Sequence, residues 1–176
     1  GESWKNVTDP VNIAGWQSGV TGIGYDTSNG DRYRPLIGID VEQMQTEVGS
    51  VFARVPFEIS AADLATINTL TLRMKYDDGF VVWINGVSVA GSNSPADSPG
   101  WNATASSGHG DNEAEIFESF DLSNSIGVLR EGQNMLAIQG LNDDLDSSDL
   151  VLMPQLVADN TQWPVLQVAT VAAGLE

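Results

Sequence analysis

Carboxylates are the reactive side chains that this 176-residue chain supplies in quantity, with 24 acidic residues against 7 basic ones. Calcium takes about six to eight oxygen ligands, which loops rich in carboxylates and carbonyls supply. Two loops have this composition, at positions 26–31 and 143–149, and their candidate ligands for a structural Ca²⁺ are Asp26, Asp31, Asp143, Asp146 and Asp149. Neither loop has the full EF-hand pattern. The alternative is a solvated turn whose carboxylates accept hydrogen bonds from their own backbone.

Catalytic use of these carboxylates is not indicated by their spacing. Glycoside hydrolysis needs two carboxylates about 5 to 9 Å apart. Asp77 and Asp78 are adjacent, and neighbouring side chains of an extended strand point to opposite faces. The one histidine, His109, lies in a Gly/Ser-rich loop, and no serine has the sequence context of a nucleophile elbow. Because the chain also lacks cysteine, thiolate chemistry is excluded and we predict that it is not an enzyme.

The charge balance restricts the partners. With a net charge of −17, the chain lacks the basic surface that nucleic acids require. Polyanionic glycans such as alginate or sulfated galactans are repelled for the same reason unless a cation bridges them, whereas neutral glycans carry no such penalty. No apolar run approaches the roughly 20 residues of a membrane span, so membrane insertion is not expected.

A strand, a break and a hairpin surround the adjacent aspartates. Alternation over 70–76 predicts a strand with one apolar face, and the run at 80–84 predicts a second strand. Asp77-Asp78-Gly79 interrupts the two. Asn85-Gly86 offers the positive φ angles of a type I′ turn, which predicts a hairpin after the second strand.

The rest of the chain reads as further short strands. We predict strands at 51–59, 117–122, 135–141 and 150–157, with Pro56 and Pro154 indicating edge positions or bulges because proline lacks a backbone donor. Ser60 with Asp63 predicts the start of a short helix, and residues 123–129 predict another. Many short strands with frequent turn signals favour an all-β sandwich. We expect one domain over 1–176, with a core at about 4–158 and a C-terminal strand at about 165–171.

Several segments resemble one family. Asp77-Asp78-Gly79 before an aromatic-rich strand that ends in Asn85-Gly86 resembles the galactose-binding-domain-like β-sandwich, a jelly roll attached to many glycoside hydrolases. The segments at 16–26, 36–41, 132–142 and 147–156 fit the same pattern. The resemblance implies a jelly-roll β-sandwich with one or two short helices, of the kind found in large secreted bacterial multidomain proteins. Related sugar-binding sandwiches often carry one structural calcium.

The long irregular segment at 91–114 is where we expect a glycan site. A sugar ring packs its C–H face on an aromatic plane, and its hydroxyls need fixed amide or carboxylate partners. Trp101 with Asn102 and the downstream His109 fit this description, and the family pattern also has a Trp-Asn and a later His here. The alternative is that these residues anchor the loop. The remaining candidates are Asn142, for a hydroxyl, and Trp83, which otherwise packs in the core.

Together these features predict a noncatalytic carbohydrate-binding module, secreted or at the cell surface, that is covalently linked to neighbouring domains. It would bind a neutral polysaccharide or oligosaccharide and target an attached polysaccharide-active enzyme to it by raising the effective concentration. The alternative is a structural or interaction spacer in a multidomain protein, without a sugar site.

Overall fold

The computed structural model describes residues 2–7, 15–159, 161–162 and 169–173. Its strands are β1 (Gln17–Gly19), β2 (Ile23–Asp26), β3 (Ile39–Asp40), β4 (Ser50–Ile59), β5 (Leu70–Asp77), β6 (Gly79–Ile84), β7 (Val87–Ser92), β8 (Glu118–Asp121), β9 (Gly132–Leu141), β10 (Asp149–Ala158), β11 (Thr161–Gln162) and β12 (Ala169–Ala173). Two one-turn helices are α1 (Ala61–Leu64) and α2 (Asp111–Ala114), and 3₁₀ helices occur at Glu2–Lys5, Arg34–Leu36, Glu42–Met44 and Ser123–Val128. In this part of the chain no helix has the length and apolar character needed to span a membrane.

The strands form two sheets. The front sheet has the order β1-β12-β4-β9-β6-β7, and the back sheet has the order β3-β2-β10-β5-β8, with β11 paired to β10. Strands β2 and β3 pair in parallel, whereas the other pairs are antiparallel. The prediction of an all-β sandwich is confirmed.

The inner faces of the two sheets enclose one apolar core. Strand β5 contributes the alternating residues Leu70, Leu72, Met74 and Tyr76, as the sequence pattern predicts. The front sheet supplies Val51, Val55, Phe57, Phe80, Val82, Leu136 and Ile138, and the back sheet supplies Ile23, Tyr25, Leu150, Leu152 and Leu156. Burying one such side chain contributes about 1.5–3 kcal/mol, so this layer holds the sheets together.

The outer face of the front sheet is covered by the N-terminal segment. Trp4 packs edge-on against Trp83 and Phe52, with ring centroids 5.4 and 4.9 Å apart. The ammonium group of Lys5 lies 4.0 Å from the centroid of the Trp83 ring. Trp83 is 2% exposed in this second cluster, so the core-packing alternative describes its place.

The predicted hairpin is confirmed. Strand β6 ends at Ile84 and β7 begins at Val87, while Asn85 and Gly86 have φ angles of 52° and 85°. These are the positive values that a type I′ turn requires. The predicted helix start is confirmed as well, because the Ser60 hydroxyl accepts a hydrogen bond from the Asp63 N–H.

Edge character at the two prolines is local rather than a property of the whole strand. Strands β4 and β10 each have neighbours on both sides. However, β12 pairs with β4 only over 51–54, and β2 pairs with β10 only over 149–152. At Pro56 and Pro154 themselves, beyond these points, each strand is paired on one side among the described residues, although β11 joins β10 further along, at 157–158. The predicted C-terminal strand at 165–171 lies partly outside the described residues, and its described residues, 169–171, lie in β12.

Candidate functional site

An acidic cluster lies at one end of the back sheet. Asp77 ends β5, Asp149 begins β10, and Asp111 begins α2, so three separate elements supply the three carboxylates. One oxygen of each carboxylate lies within 4.8 Å of the others. Asp77 is buried, Asp149 is half-buried and Asp111 is exposed. The triad is therefore close enough to hold a metal ion.

Burial raises the pKa values of two carboxyl groups in this cluster. Desolvation raises the pKa of Asp77 to about 9, with a further increase from its hydrogen bond to Asp78. The Tyr33 hydroxyl donates to Asp77 Oδ2 at 2.6 Å and opposes this rise. Burial, followed by the nearby charges of Asp111 and Asp26, raises the pKa of Asp149 to about 6. At neutral pH and without a cation, Asp77 is therefore protonated.

The contact between Asp77 and Asp78 corrects the expectation that their side chains point apart. That expectation assumed a regular strand through both residues, but β5 ends at Asp77 and β6 begins at Gly79. At the break between the strands, Asp78 instead accepts hydrogen bonds from the N–H groups of His109 and Asp143, at 3.0 and 2.8 Å. Asp78 thus holds two loops, the one that contains His109 and the one that contains Asp143, against the end of the sandwich.

Asp26 and Asp149 are brought side by side, because they are paired in the register of β2 and β10. Burial would raise the pKa of Asp26, but hydrogen bonds from Ser28 and the Tyr33 N–H outweigh it and lower the pKa. Asp26 thus accepts hydrogen bonds from nearby backbone, as in the alternative to a metal loop, although it is buried rather than solvated.

The other predicted calcium ligands lie apart from the triad. Asp31 is exposed and lies 3.7 Å from Arg34. Asp146 is exposed. Partial desolvation, followed by the nearby charge of Asp78, raises the pKa of Asp143. Asp111 and Asp77 were absent from the predicted ligand set. The prediction drew each set from a single loop, and no local pattern marks Asp111.

The predicted glycan-site residues are spread along the loop between β7 and α2. The Trp101 side chain is 53% exposed. Asn102 Oδ1 accepts a hydrogen bond from the Gly49 N–H at 2.7 Å, and the Ala103 carbonyl oxygen accepts one from the Ser50 hydroxyl. The Asn102 amide therefore anchors this part of the loop to β4, whereas the indole beside it is open to solvent.

His109 belongs to the same loop, but it packs against the back sheet. Its ring stacks on Tyr76 of β5, with centroids 4.1 Å apart and planes 3° apart. Its Nδ1 lies 2.8 Å from the Tyr76 carbonyl oxygen. Asn142 is 1% exposed and donates to the Tyr25 hydroxyl, so it lies inside the end of the sandwich. The structure therefore does not bring Trp101, His109, Asn142 and Trp83 to one surface.

A cleft of about 270 Å³ opens beside His109, between α2 and β8. Ile116 and Phe117 supply apolar surface, while His109 and two carboxylates, Glu113 and Glu118, supply polar groups. The Tyr76 hydroxyl holds Glu118 through a 2.7 Å hydrogen bond. Another cavity, of about 370 Å³, lies beside β7 and has no aromatic residue in its lining. Of the two, the His109 cleft combines apolar and hydrogen-bonding surface.

Solved structures with some similarity in shape include three α-L-rhamnosidases. The enzyme from Streptomyces avermitilis, complexed with L-rhamnose, matches 73% of this chain at 14% identity and a TM-score of 0.47. The enzymes from Aspergillus terreus and Dictyoglumus thermophilum each match 72% of the chain, at 11% and 15% identity and TM-scores of 0.43 and 0.39. The chain covers 11%, 15% and 13% of these three proteins, respectively. No family model matches the sequence, and no curated protein matches it.

Proposed function

We propose that this chain is a noncatalytic carbohydrate-binding domain of a secreted or cell-surface multidomain protein. The observation that carries the proposal is the His109 cleft, which sets the apolar side chains of Ile116 and Phe117 beside two carboxylates and an imidazole. Pyranose rings have this dual character, with an apolar C–H face and a rim of hydroxyls. The sequence resemblance to galactose-binding-like jelly rolls supports the same function.

Each group of the cleft has a role in this proposal. Phe117 packs against the face of a sugar ring, while Glu113 and Glu118 accept hydrogen bonds from hydroxyls. Stacking on Tyr76 orients His109 for a further hydroxyl. Trp101 remains a candidate for a second contact because its indole is solvent-exposed. By holding a glycan, the domain would raise the effective concentration of an attached catalytic domain.

Removing the Phe117 ring tests this proposal. We expect Phe117→Ala to weaken retention in polysaccharide affinity gels by about tenfold or more, since burying a phenylalanine ring contributes about 1.5–3 kcal/mol. Leu145→Ala, which truncates an exposed apolar residue of another loop, should bind like the wild type. Trp101→Ala in the same gels tests the second contact.

Two outcomes would contradict the proposal. If the folded wild type is not retarded by any polysaccharide, the spacer alternative stands in place of glycan binding. Release of reducing ends from a polysaccharide panel would show that the domain is an enzyme.

We also propose that the acidic cluster holds a structural calcium ion. The donors fit, because Asp77, Asp111 and Asp149 offer only carboxylate oxygens, the ligands that calcium prefers. Such an ion would displace the proton of Asp77, join β5, β10 and α2, and offset the repulsion among the three carboxylates that results. This ligand set replaces the single-loop sets that the sequence suggested.

A further inference from the structure

Two cations lie side by side on the outer face of the back sheet. Arg73 and Lys75 are two residues apart on β5, so their side chains share one face. The Arg73 guanidinium carbon and the Lys75 ammonium lie 4.7 and 5.0 Å from the centroid of the Phe117 ring. Since Phe117 also lines the His109 cleft, this pair borders the proposed glycan site.

The pair is unusual because neither cation has an acidic partner. Among the described residues, Arg73 and Lys75 form no ion pair, in a chain with 24 acidic residues. Arg73 donates instead to the neutral amide of Gln155, at 3.1 Å. By contrast, two other arginines have close carboxylates: Arg32 is near Asp111 and Glu115, and Arg34 is near Asp31, Asp40 and Glu42.

Two like charges on the same face of a strand, without counter-charges, repel each other, and an anion bound by both would relieve that repulsion. Net charge does not forbid such an anion. At physiological ionic strength charges are screened over about 8 Å, so the nearest groups dominate at an exposed site. An arginine fork also matches the geometry of a carboxylate or sulfate group.

We propose that Arg73 and Lys75 bind an anionic substituent, a carboxylate or a sulfate, of a glycan whose neighbouring sugar occupies the His109 cleft. This deepens the proposed function and rests on it. Because Glu113 and Glu118 line the cleft, they disfavour a second anionic group on the sugar that occupies it. The domain therefore selects a largely neutral chain with scattered acidic groups over both an uncharged chain and a dense polyanion.

Matched polysaccharides test this selectivity. In affinity gels, glucuronoxylan is compared with arabinoxylan for the carboxylate, and κ-carrageenan with agarose for the sulfate; polygalacturonic acid serves as the dense polyanion. We expect about tenfold stronger retention by the acidic member of one pair, as one charge-assisted hydrogen bond provides. This preference should shrink as sodium chloride is added.

Three variants distinguish a local anion site from an effect of the protein's overall charge. Lys75→Gln and Arg73→Gln should remove the acidic preference and leave binding to the neutral member of each pair. Arg130→Gln removes the same single charge from an arginine outside the patch, and it should keep the preference. Circular dichroism melting confirms that each variant is folded.

Each alternative result has a distinct meaning. Equal retention of acidic and neutral members overturns the anion site and leaves the proposed function standing. Loss of the preference in Arg130→Gln as well overturns the site, because overall charge would then explain it. Strongest binding to polygalacturonic acid contradicts the selectivity. Absence of binding to every polysaccharide overturns both this inference and the proposed function.

Discussion

Among single residues, Asp77 is the most perturbed carboxyl of the acidic cluster. Its side chain is buried beneath Tyr33 and hydrogen-bonded to Asp78. With the pKa of Asp77 raised to about 9, the folded protein keeps this proton at pH values where the unfolded chain has released it. The stability that protonated Asp77 contributes is therefore lost as the pH rises from about 4 toward about 9.

Asp77→Asn removes this titration. We expect the variant in chelator to match the wild type near pH 4 and to exceed its free energy of unfolding at pH 8 by several kcal/mol, because each pH unit above the unfolded pKa costs the wild type about 1.4 kcal/mol. The reason is that asparagine keeps a hydrogen-bonding side chain of the same size without an ionisable proton. Urea unfolding at several pH values measures the difference.

A matched control is Asp146→Asn, which removes one negative charge from an exposed position. It should not reproduce the pH-dependent gain. If Asp77→Asn is destabilised equally at pH 4 and pH 8, the raised pKa is contradicted and the residue serves only through packing.

At the scale of elements, the one-turn helix α2 depends on its contacts rather than on its own length, since so short a helix is marginal alone. Ala114 packs against Tyr33 and Val151 on the outer face of the back sheet. Arg32 adds ion pairs of 3.5 and 3.4 Å to Asp111 and Glu115. Calcium at the acidic cluster would add a direct link from α2 to β5 and β10.

Calcium should therefore raise the melting temperature. At about 100-fold excess over the dissociation constant, binding adds about 2.7 kcal/mol, which corresponds to roughly 5–10 °C for a domain of this size. Differential scanning fluorimetry in EDTA and in CaCl₂ measures the shift. Asp111→Asn should reduce it, whereas Asp146→Asn should not. Identical melting temperatures in EDTA and CaCl₂ would refute the calcium site.

For the whole molecule, the net charge of −17 acts against the compact state through self-repulsion. We expect the melting temperature in EDTA to rise as NaCl increases from about 0.02 to about 0.3 M, because the Debye length falls over that range. Choline chloride at the same ionic strength should act equally, since screening does not depend on the identity of the cation. A response to sodium alone would indicate specific ion binding instead.

Much of the sandwich was predictable because its signals are local. Alternation over β5, the Asn85-Gly86 turn and the Ser60 cap each depend on neighbouring residues, and each is confirmed. The prolines were harder to interpret, since edge character at Pro56 and Pro154 depends on where a distant strand ends. The residues around each proline carry no information about where the neighbouring strand stops pairing.

The sequence by itself determined the all-β class, the central hairpin and the strongly acidic surface, because periodicity, turn chemistry and charge are properties of short segments. Tertiary structure alone decided which carboxylates meet. Asp77, Asp111 and Asp149 are far apart along the chain and converge only because β5 pairs with β10 and α2 packs over them. Phe117 likewise borders both the cleft and the unpaired cations because β8 lies beside β5.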